Sequence, residues 1–492
     1  MATLTLRQGL RTWTLSFEAP QLLSALLDST DASFAHPCGG RGVCGKCAVT
    51  VSGCASVPNE AERRLGVRLA CQVHITGDAE VTLPTQLPLA QIEGGRVCDL
   101  QPIAPMKGRF GAAVDLGTTT IVLQLHDLHM GRSIGAASML NPQTSVAADV
   151  IGRIDASMKG RADELRAQVT SAIQTLLTAA CAQADIHADA VDALVITGNT
   201  TMLYLLNGQD PTSLSRAPFV ADCLFGCDAA LWKRQAYLPR CLHAFVGADT
   251  TCALLASSIT QQPDTALLCD VGTNGEIALW HQGRLYVAST AAGPAFEGAG
   301  IRCGCANIPG AIDHAEAAAG NIRCHTIGEG KAVGLCGSGL VDVIAAALDT
   351  GALDETGLLE DDPLPLRDGV SLVQEDIRAV QLAKAAIHAG IMSLLSAAHC
   401  PVDEVTTFYL AGGFGSHLSI RSAVRIGLIP NELAQRVRVI GNAALDGAAM
   451  LLMDTTLRQR VDAMVACATH VRLDGNAEFV ERYVEAMLFP EA

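Results

Sequence analysis

Positive charge is what this sequence is short of: 34 Lys and Arg face 50 Asp and Glu, a formal net charge of −16 over 492 residues. Such a surface repels phosphate backbones and anionic lipid unless basic residues cluster locally, and no basic cluster occurs along the chain. Nucleic acid and membrane surfaces are therefore not expected as partners. Charge of either sign is modest at 17%, while 49% of residues are hydrophobic, which suits a folded chain and not a disordered one. No apolar run approaches the roughly 18 residues that would cross a bilayer, and the opening MATLTLRQGLRTWTL has no basic stretch followed by an apolar core. The expected location is cytoplasmic. There is no G-x-x-x-x-G-K-[ST], so a P-loop is lacking.

Cysteine, by contrast, is plentiful at 18. In a large cytosolic chain thiols stay reduced, so their clustering matters more than their number. Residues 1–84 read as a small mixed domain: ATLTLR and TWTLSF alternate as strands, and PQLLSALLDS is a short amphipathic helix. HPCGGRGVCGKCAVTV then sets Cys38, Cys44 and Cys47 at C-x5-C-x2-C in a loop containing Gly39, Gly40, Gly42 and Gly45, and RLACQV adds Cys71. Four thiolates can hold two irons, and the glycines let backbone N–H groups approach the sulfurs. Zinc is the chemical alternative, but structural zinc usually shows two short C-x2-4-C pairs and only one is present. Cys54 is the nearest competing thiol and is read as structural. The pattern resembles plant- and adrenodoxin-type [2Fe-2S] ferredoxins, which implies a β-grasp fold, single-electron transfer, and Cys38, Cys44, Cys47 and Cys71 as ligands.

Residues 85–108, rich in Pro and Gly without periodicity, read as a linker. Beyond it the chain carries one signature twice. Asp115-Leu116-Gly117-Thr118-Thr119-Thr120 lies between two apolar strands, and Asp270-Val271-Gly272-Thr273-Asn274-Gly275 does the same further on. One D-x-G-T turn is an ordinary hairpin; two suggest a duplicated α/β domain, with halves at about 109–240 and 241–492, whose turns converge on one polyphosphate. FYLAGGFGSHLS ends a third strand in Gly412-Gly413, where backbone can approach a nucleoside. ALVITGNTTMLYLLNG and VGLCGSGLVDVIAAAL read as the connecting helices. The order of these features resembles the actin, Hsp70 and sugar-kinase ATPase superfamily.

The combination of a [2Fe-2S] domain with that ATPase fold, together with AAGPAFEGAGIRCGCANIPGAID, resembles the reductive activators of corrinoid enzymes. Where that family usually reads S-C-G-M, this chain has Arg302-Cys303-Gly304-Cys305, and it passes almost directly from Lys107 into the first ATPase strand. The resemblance implies an ATP-dependent enzyme that returns cob(II)alamin on a partner protein of a methyltransferase system to cob(I)alamin, itself reduced by a low-potential electron donor, and a homodimer. An ATP-gated electron donor of the 2-hydroxyacyl-CoA dehydratase activator type and a non-catalytic redox or nucleotide sensor are the alternatives. In this reading Asp115 and Asp270 position Mg2+ and the attacking water, with Glu276 a weaker candidate base. Gly117, Thr118, Thr119, Thr120, Gly272, Thr273 and Asn274 contact phosphate, and Gly412 and Gly413 lie beside adenosine. Cys303 and Cys305 are too few for a second cluster, Cys223 and Cys227 read as packing residues, and no histidine is singled out.

Overall fold

A computed structural model describes residues 1–8, 11–27, 29–30, 47–65, 67–83, 100–232 and 234–491. The first domain is built on strands β1 (Ala2–Gln8), β2 (Arg11–Phe17), β3 (Gln21–Leu22), β4 (Ala48–Ala55), β5 (Arg68–Leu69) and β6 (His74–Thr82). β1 pairs antiparallel with β2 and parallel with β6, which also carries β4 and β3 antiparallel, giving the order β2-β1-β6-β4-β5. Alternation explains the core: Leu4 and Leu6 of β1 point inward with Val81 and Ile75 of β6, while Thr3 and Arg7 face water. The short helix Leu23–Leu27 closes this core from one side. The expected β-grasp architecture is present.

The stretch expected as linker does not run free to residue 108. Residues 84–99 lie outside the described residues, but 100–106 is fastened to the following domain. The N–H groups of Ile103 and Ala104 both donate to the Met453 carbonyl, Met106 N–H to that of Leu452, and Thr455 N–H returns a bond to the Ala104 carbonyl.

Two sheets of like topology follow. In the first, β7 (Phe110–Leu116), β8 (Thr120–Asp127) and β9 (Arg132–Leu140) form an antiparallel meander. β10 (Val191–Gly198) adds parallel to β7, β12 (Arg234–Leu238) parallel to β10, and β11 (Cys227–Leu231) covers the edge. The second repeats this with β13 (Ala266–Val271), β14 (Gly275–His281) and β15 (Arg284–Thr290). Between that meander and the remaining strands come two small sheets, one of β16 (Ala311–Ala318), β17 (Asn321–Thr326) and β18 (Gly334–Leu335), the other of β19 (Leu364–Pro365) and β20 (Ser371–Leu372). β21 (Thr407–Ala411) then pairs parallel with β13, β22 (Val437–Gly441) parallel with β21, and β23 (Ala468–His470) with β15. The duplication expected from the two D-x-G-T turns is thus a duplication of whole sheets.

Each central strand faces two cores. In β7, Ala112, Val114 and Leu116 point into the core of the first half and Ala113 into a core shared by both halves; in β13, Leu267 and Cys269 face the second half's core and Leu268 the shared one. The shared core holds the helices Ala248–Ser257 and Ala443–Met453, which follow β12 and β22. The segments at Gly198–Leu206 and Gly337–Ala347 read as connecting helices are largely helical, as Thr200–Asn207 and Gly337–Thr350, and pack into the separate cores of their own halves. Membrane-span length and composition are met by the 24-residue helix Gln374–Ala397, but most of it is buried in the second half.

The crossing is close because Gly447 has no side chain: a Cβ there would stand 2.1 Å from the Cys252 carbonyl oxygen. Gly447→Ala gains up to about 1 kcal/mol of helix propensity, but backbone meets backbone, and overpacking of this kind costs about 1–3 kcal/mol. The substitution is therefore expected to lower the thermal midpoint of the ATPase-fold domain while the visible absorption of the first domain is unchanged. An unchanged or raised midpoint would show that the crossing is looser than the geometry requires.

Candidate functional site

Both D-x-G-T turns lie at the C-terminal ends of the central strands β7 and β13, where parallel neighbours leave a crevice at a topological switch point. Asp115 pairs across with Thr197 of β10, and Asp270 with Ala411 of β21, one residue before Gly412. The turns face each other although 154 residues separate them. The Thr119 hydroxyl stands 3.4 Å from that of Thr273, and both donate to Glu297, Thr119 to Oε2 and Thr273 to Oε1 at 3.0 Å.

Three further contacts knit strand ends to the turns. Asn442 Nδ2 donates to Asp115 Oδ2 at 3.0 Å while its own oxygen caps the helix Ala443–Met453. Asn199, capping the helix Thr200–Asn207, donates to the Thr118 hydroxyl at 2.9 Å. Gly412 has φ of 92°, a left-handed conformation that glycine adopts at no steric cost, and a Cβ there would lie 2.5 Å from Asp270 Oδ1. Gly413 beside it faces open space. Behind the first turn, the fully buried Arg153 donates to the Thr118 carbonyl at 2.6 Å and to Gln143 Oε1 at 3.2 Å, which fixes the turn's backbone from below.

Carboxylates crowd this crevice. Burial, then the neighbouring charge of Asp249, pushes Asp115 up to about 7, with the Asn442 bond opposing; burial and the charges of Asp249, Asp115 and Glu297 push Asp270 up to about 7. Asp249, at the start of the helix Ala248–Ser257, is raised to about 6 by burial. Glu276, directly across from Asp270 on β14, is held well above the usual carboxylate range by burial and by Asp249 and Asp270, and Glu297 is raised by burial against the two threonine bonds. Asn274 offers its side chain to Glu276. Of the residues expected at the phosphates, Thr118, Thr119 and Thr273 are brought together here with Asp115 and Asp270; Gly117 and Gly272 form the turns' backbone, and Thr120 opens β8.

Asp249, Glu297, Asn199 and Asn442 were missed in the sequence. Two of them had a signal: Gly198-Asn199 and Gly441-Asn442 both follow an apolar strand and open a helix.

In the first domain, Cys38 and Cys44 lie outside the described residues. Cys47 and Cys71 are buried, with sulfurs 3.2 Å apart, and Ala70 N–H donates to the Cys47 carbonyl at 2.9 Å. Two thiols this close, without the roughly 2.05 Å spacing of a disulfide, fit ligands to one metal ion. Glu62 anchors the Cys71 segment: buried, it accepts from Leu69 N–H at 3.0 Å and Arg68 Nε at 3.0 Å. Cys54, read as structural, is instead exposed. Cys303 packs against the second half's core and Cys305 beside buried Cys336, while the Cys303 carbonyl and Cys305 N–H pair with Leu335. Their place in the fold is one of packing and strand-edge pairing.

Fold and site together define a class: an iron–sulfur domain joined to a nucleotide-binding ATPase fold of the actin, Hsp70 and sugar-kinase type. Residues 11–76 match the 2Fe-2S iron–sulfur cluster binding domain, 110–262 the RACo middle region and 264–492 the C-terminal domain of RACo, the ASKHA domain. Corrinoid activation enzyme RamQ of Eubacterium limosum is 33% identical over 437 residues, covering 81% of this chain and 73% of the relative. The [Co(II) methylated amine-specific corrinoid protein] reductase of Methanosarcina barkeri is 26% identical over 406 residues, 74% of this chain and 73% of that one. A solved reductive activator for corrinoid, iron–sulfur protein superposes with a TM-score of 0.73 at 24% identity, over 100% of this chain and 98% of its own. The chain belongs to the corrinoid-activation family.

Raised carboxyl pKa values make a signed prediction. A carboxyl whose folded value lies near 7 and whose unfolded value lies near about 3.9 supports folding most below the lower value and loses that support as pH rises through the upper one. Asp270→Asn removes the titration. In the absence of nucleotide, the variant is expected to melt above the parent at about pH 8, with the gap shrinking toward about pH 5.5. A gap independent of pH would contradict the assignment.

Proposed function

We propose that this protein uses ATP to drive the return of a partner's cob(II)alamin to cob(I)alamin, the electron coming from its own iron–sulfur domain. The reading is carried by one observation: two converging D-x-G-T turns and a buried cysteine pair occur in one chain of the corrinoid-activation family. Cys38, Cys44, Cys47 and Cys71 would hold a [2Fe-2S] cluster, which when bound supplies a single low-potential electron. The described half of this set supports it, since Cys47 and Cys71 are buried, adjacent and tied through backbone.

At the crevice the turns' N–H groups and the hydroxyls of Thr118, Thr119 and Thr273 would bind phosphate oxygens, with Gly412 and Gly413 beside the nucleoside. Glu297 accepts from Thr119 and Thr273, so it stands where a phosphate oxygen would accept the same two bonds. Asp115 and Asp270 would hold Mg2+ and orient the attacking water. Glu276 is a poor base while it stays protonated, and Asp249, nearer the usual range, shares the space. Binding on both turns draws the halves together about the crossed helices. Asn442, at one end of the helix Ala443–Met453, touches Asp115, and the carbonyls of Leu452 and Met453 at its other end hold residues 103–106, which lead to the iron–sulfur domain. That helix is the route by which nucleotide state would reach the cluster. A low-potential donor, a cytoplasmic location and a homodimer complete the proposal.

Asp115→Ala and Asp270→Ala are each expected to abolish ATP hydrolysis and leave the cluster's absorption intact, whereas Cys47→Ser loses most of the iron and keeps nucleotide binding. The function itself is tested by mixing the reduced protein with a cognate cob(II)-loaded carrier. Cob(I) absorption should grow only with MgATP, and a cut between residues 90 and 99 should abolish that growth while both modules keep their ligands. Tight ATP binding without cob(I) formation on any corrinoid protein of the same organism would favour the sensor reading instead.

A further inference from the structure

At the end of the second sheet remote from the turns, three potential ligands from three separate pieces of backbone meet. His281 is the last residue of β14 and is only 4% exposed. Cys400, 6% exposed, follows the helix Gln374–Ala397; its N–H donates to the Leu395 carbonyl at 2.9 Å after His399 turns the chain through a left-handed φ of 51°. Glu404 ends the short helical turn Val402–Glu404 and reaches in from the surface. Their ligating atoms all lie within 4.8 Å of one another, with His281 Nδ1 3.9 Å from Glu404 Oε2.

We propose that His281, Cys400 and Glu404 form a site for one zinc ion, with water in the fourth position. The donor set selects the metal: a thiolate and an imidazole favour a borderline-soft ion over Mg2+ or Ca2+, which take oxygen. Zinc bonds of about 2.0–2.3 Å at tetrahedral angles place ligand atoms about 3.2–3.8 Å apart. The present spacing, up to 4.8 Å, therefore has to close by up to about 1.5 Å, and Glu404, whose side chain is half exposed, is free to supply its share of that movement. Two of the contacts these groups make without a metal are weak: the His281–Glu404 distance is too long for a hydrogen bond, and among the described residues the Cys400 thiol bonds the Pro401 carbonyl alone, at 3.5 Å. The Thr265 hydroxyl lies 2.9 Å from His281 Nδ1, a hydrogen bond that zinc binding through that nitrogen would replace.

Such a site would clasp the end of the long core helix to the edge of the β13–β14 hairpin. Thr265 immediately precedes β13, five residues before Asp270, about 17 Å at the rise of a β-strand, so the ion would act on the scaffold and not on phosphate. The inference does not rest on the corrinoid reading.

The test uses full-length, cluster-loaded protein under anaerobic conditions, equilibrated with ZnCl2 and desalted, with zinc, iron and sulfide counted. One zinc per chain is expected without loss of iron, together with a raised thermal midpoint. Cys400→Ser and Glu404→Gln should each weaken zinc binding by about tenfold or more, given that loss of groups merely supporting a metal ligand costs about 10–100-fold. Glu404→Gln changes an exposed group and keeps the fold intact, so it serves even if the buried cysteine variant is unstable. No retained zinc, zinc gained only as iron is lost, or equal retention by the parent and both variants would each overturn the proposal.

Discussion

Like charge held in a small space is the constraint on which the rest of this structure depends. Asp115, Asp249, Asp270, Glu276 and Glu297 surround two facing turns, and each is raised above its ordinary pKa by burial and, for most, by its neighbours. The charge of Arg153 reaches Glu297, but its guanidinium is hydrogen-bonded to the Thr118 carbonyl and Gln143. The crevice is therefore electrostatically unfinished. A polyphosphate alone would worsen the repulsion and a cation alone would leave the threonine hydroxyls bonded to Glu297; a metal–polyphosphate pair meets both needs.

This arrangement needs two halves that hold their turns in opposition. The shared core supplies that through alternation in the central strands, and the Gly447 crossing lets its two helices meet backbone to backbone. Because Ala443–Met453 begins at Asn442 against Asp115 and ends where residues 103–106 dock, the helix that touches the first turn's aspartate is also the one that holds the chain leading from the iron–sulfur domain.

Much of this was legible in the sequence, and the misses have physical causes. Strand alternation and the paired D-x-G-T turns gave the sheets and the facing aspartates, because those signals are local and repeated. Glu297 was not seen because it lies 24 residues past Thr273, in a motif of small residues, and acquires its role only when the halves meet. The helices Ala248–Ser257 and Ala443–Met453 are not singled out in the sequence because they carry no turn signature of their own, and their place in the shared core follows only from the strand order after β12 and β22. The linker was drawn too long because Leu100–Met106 has no periodicity and is ordered through backbone bonds to residues 350 positions away, which no local pattern encodes. His281 and Cys400 are ordinary core residues until Glu404 is placed beside them.

The central claim, that crowded carboxylates with pKa values raised to about 7 await a cation that arrives with phosphate, is tested most directly by counting protons. Calorimetric titration of the protein with MgATP at pH 7 in buffers of different ionisation enthalpy gives the number exchanged on binding. With Asp115 and Asp270 both near 7, the account predicts a net release of about one proton per chain, because the metal binds the ionised carboxylates, and a smaller release in Asp270→Asn. Binding with no proton released, or with proton uptake, would contradict it.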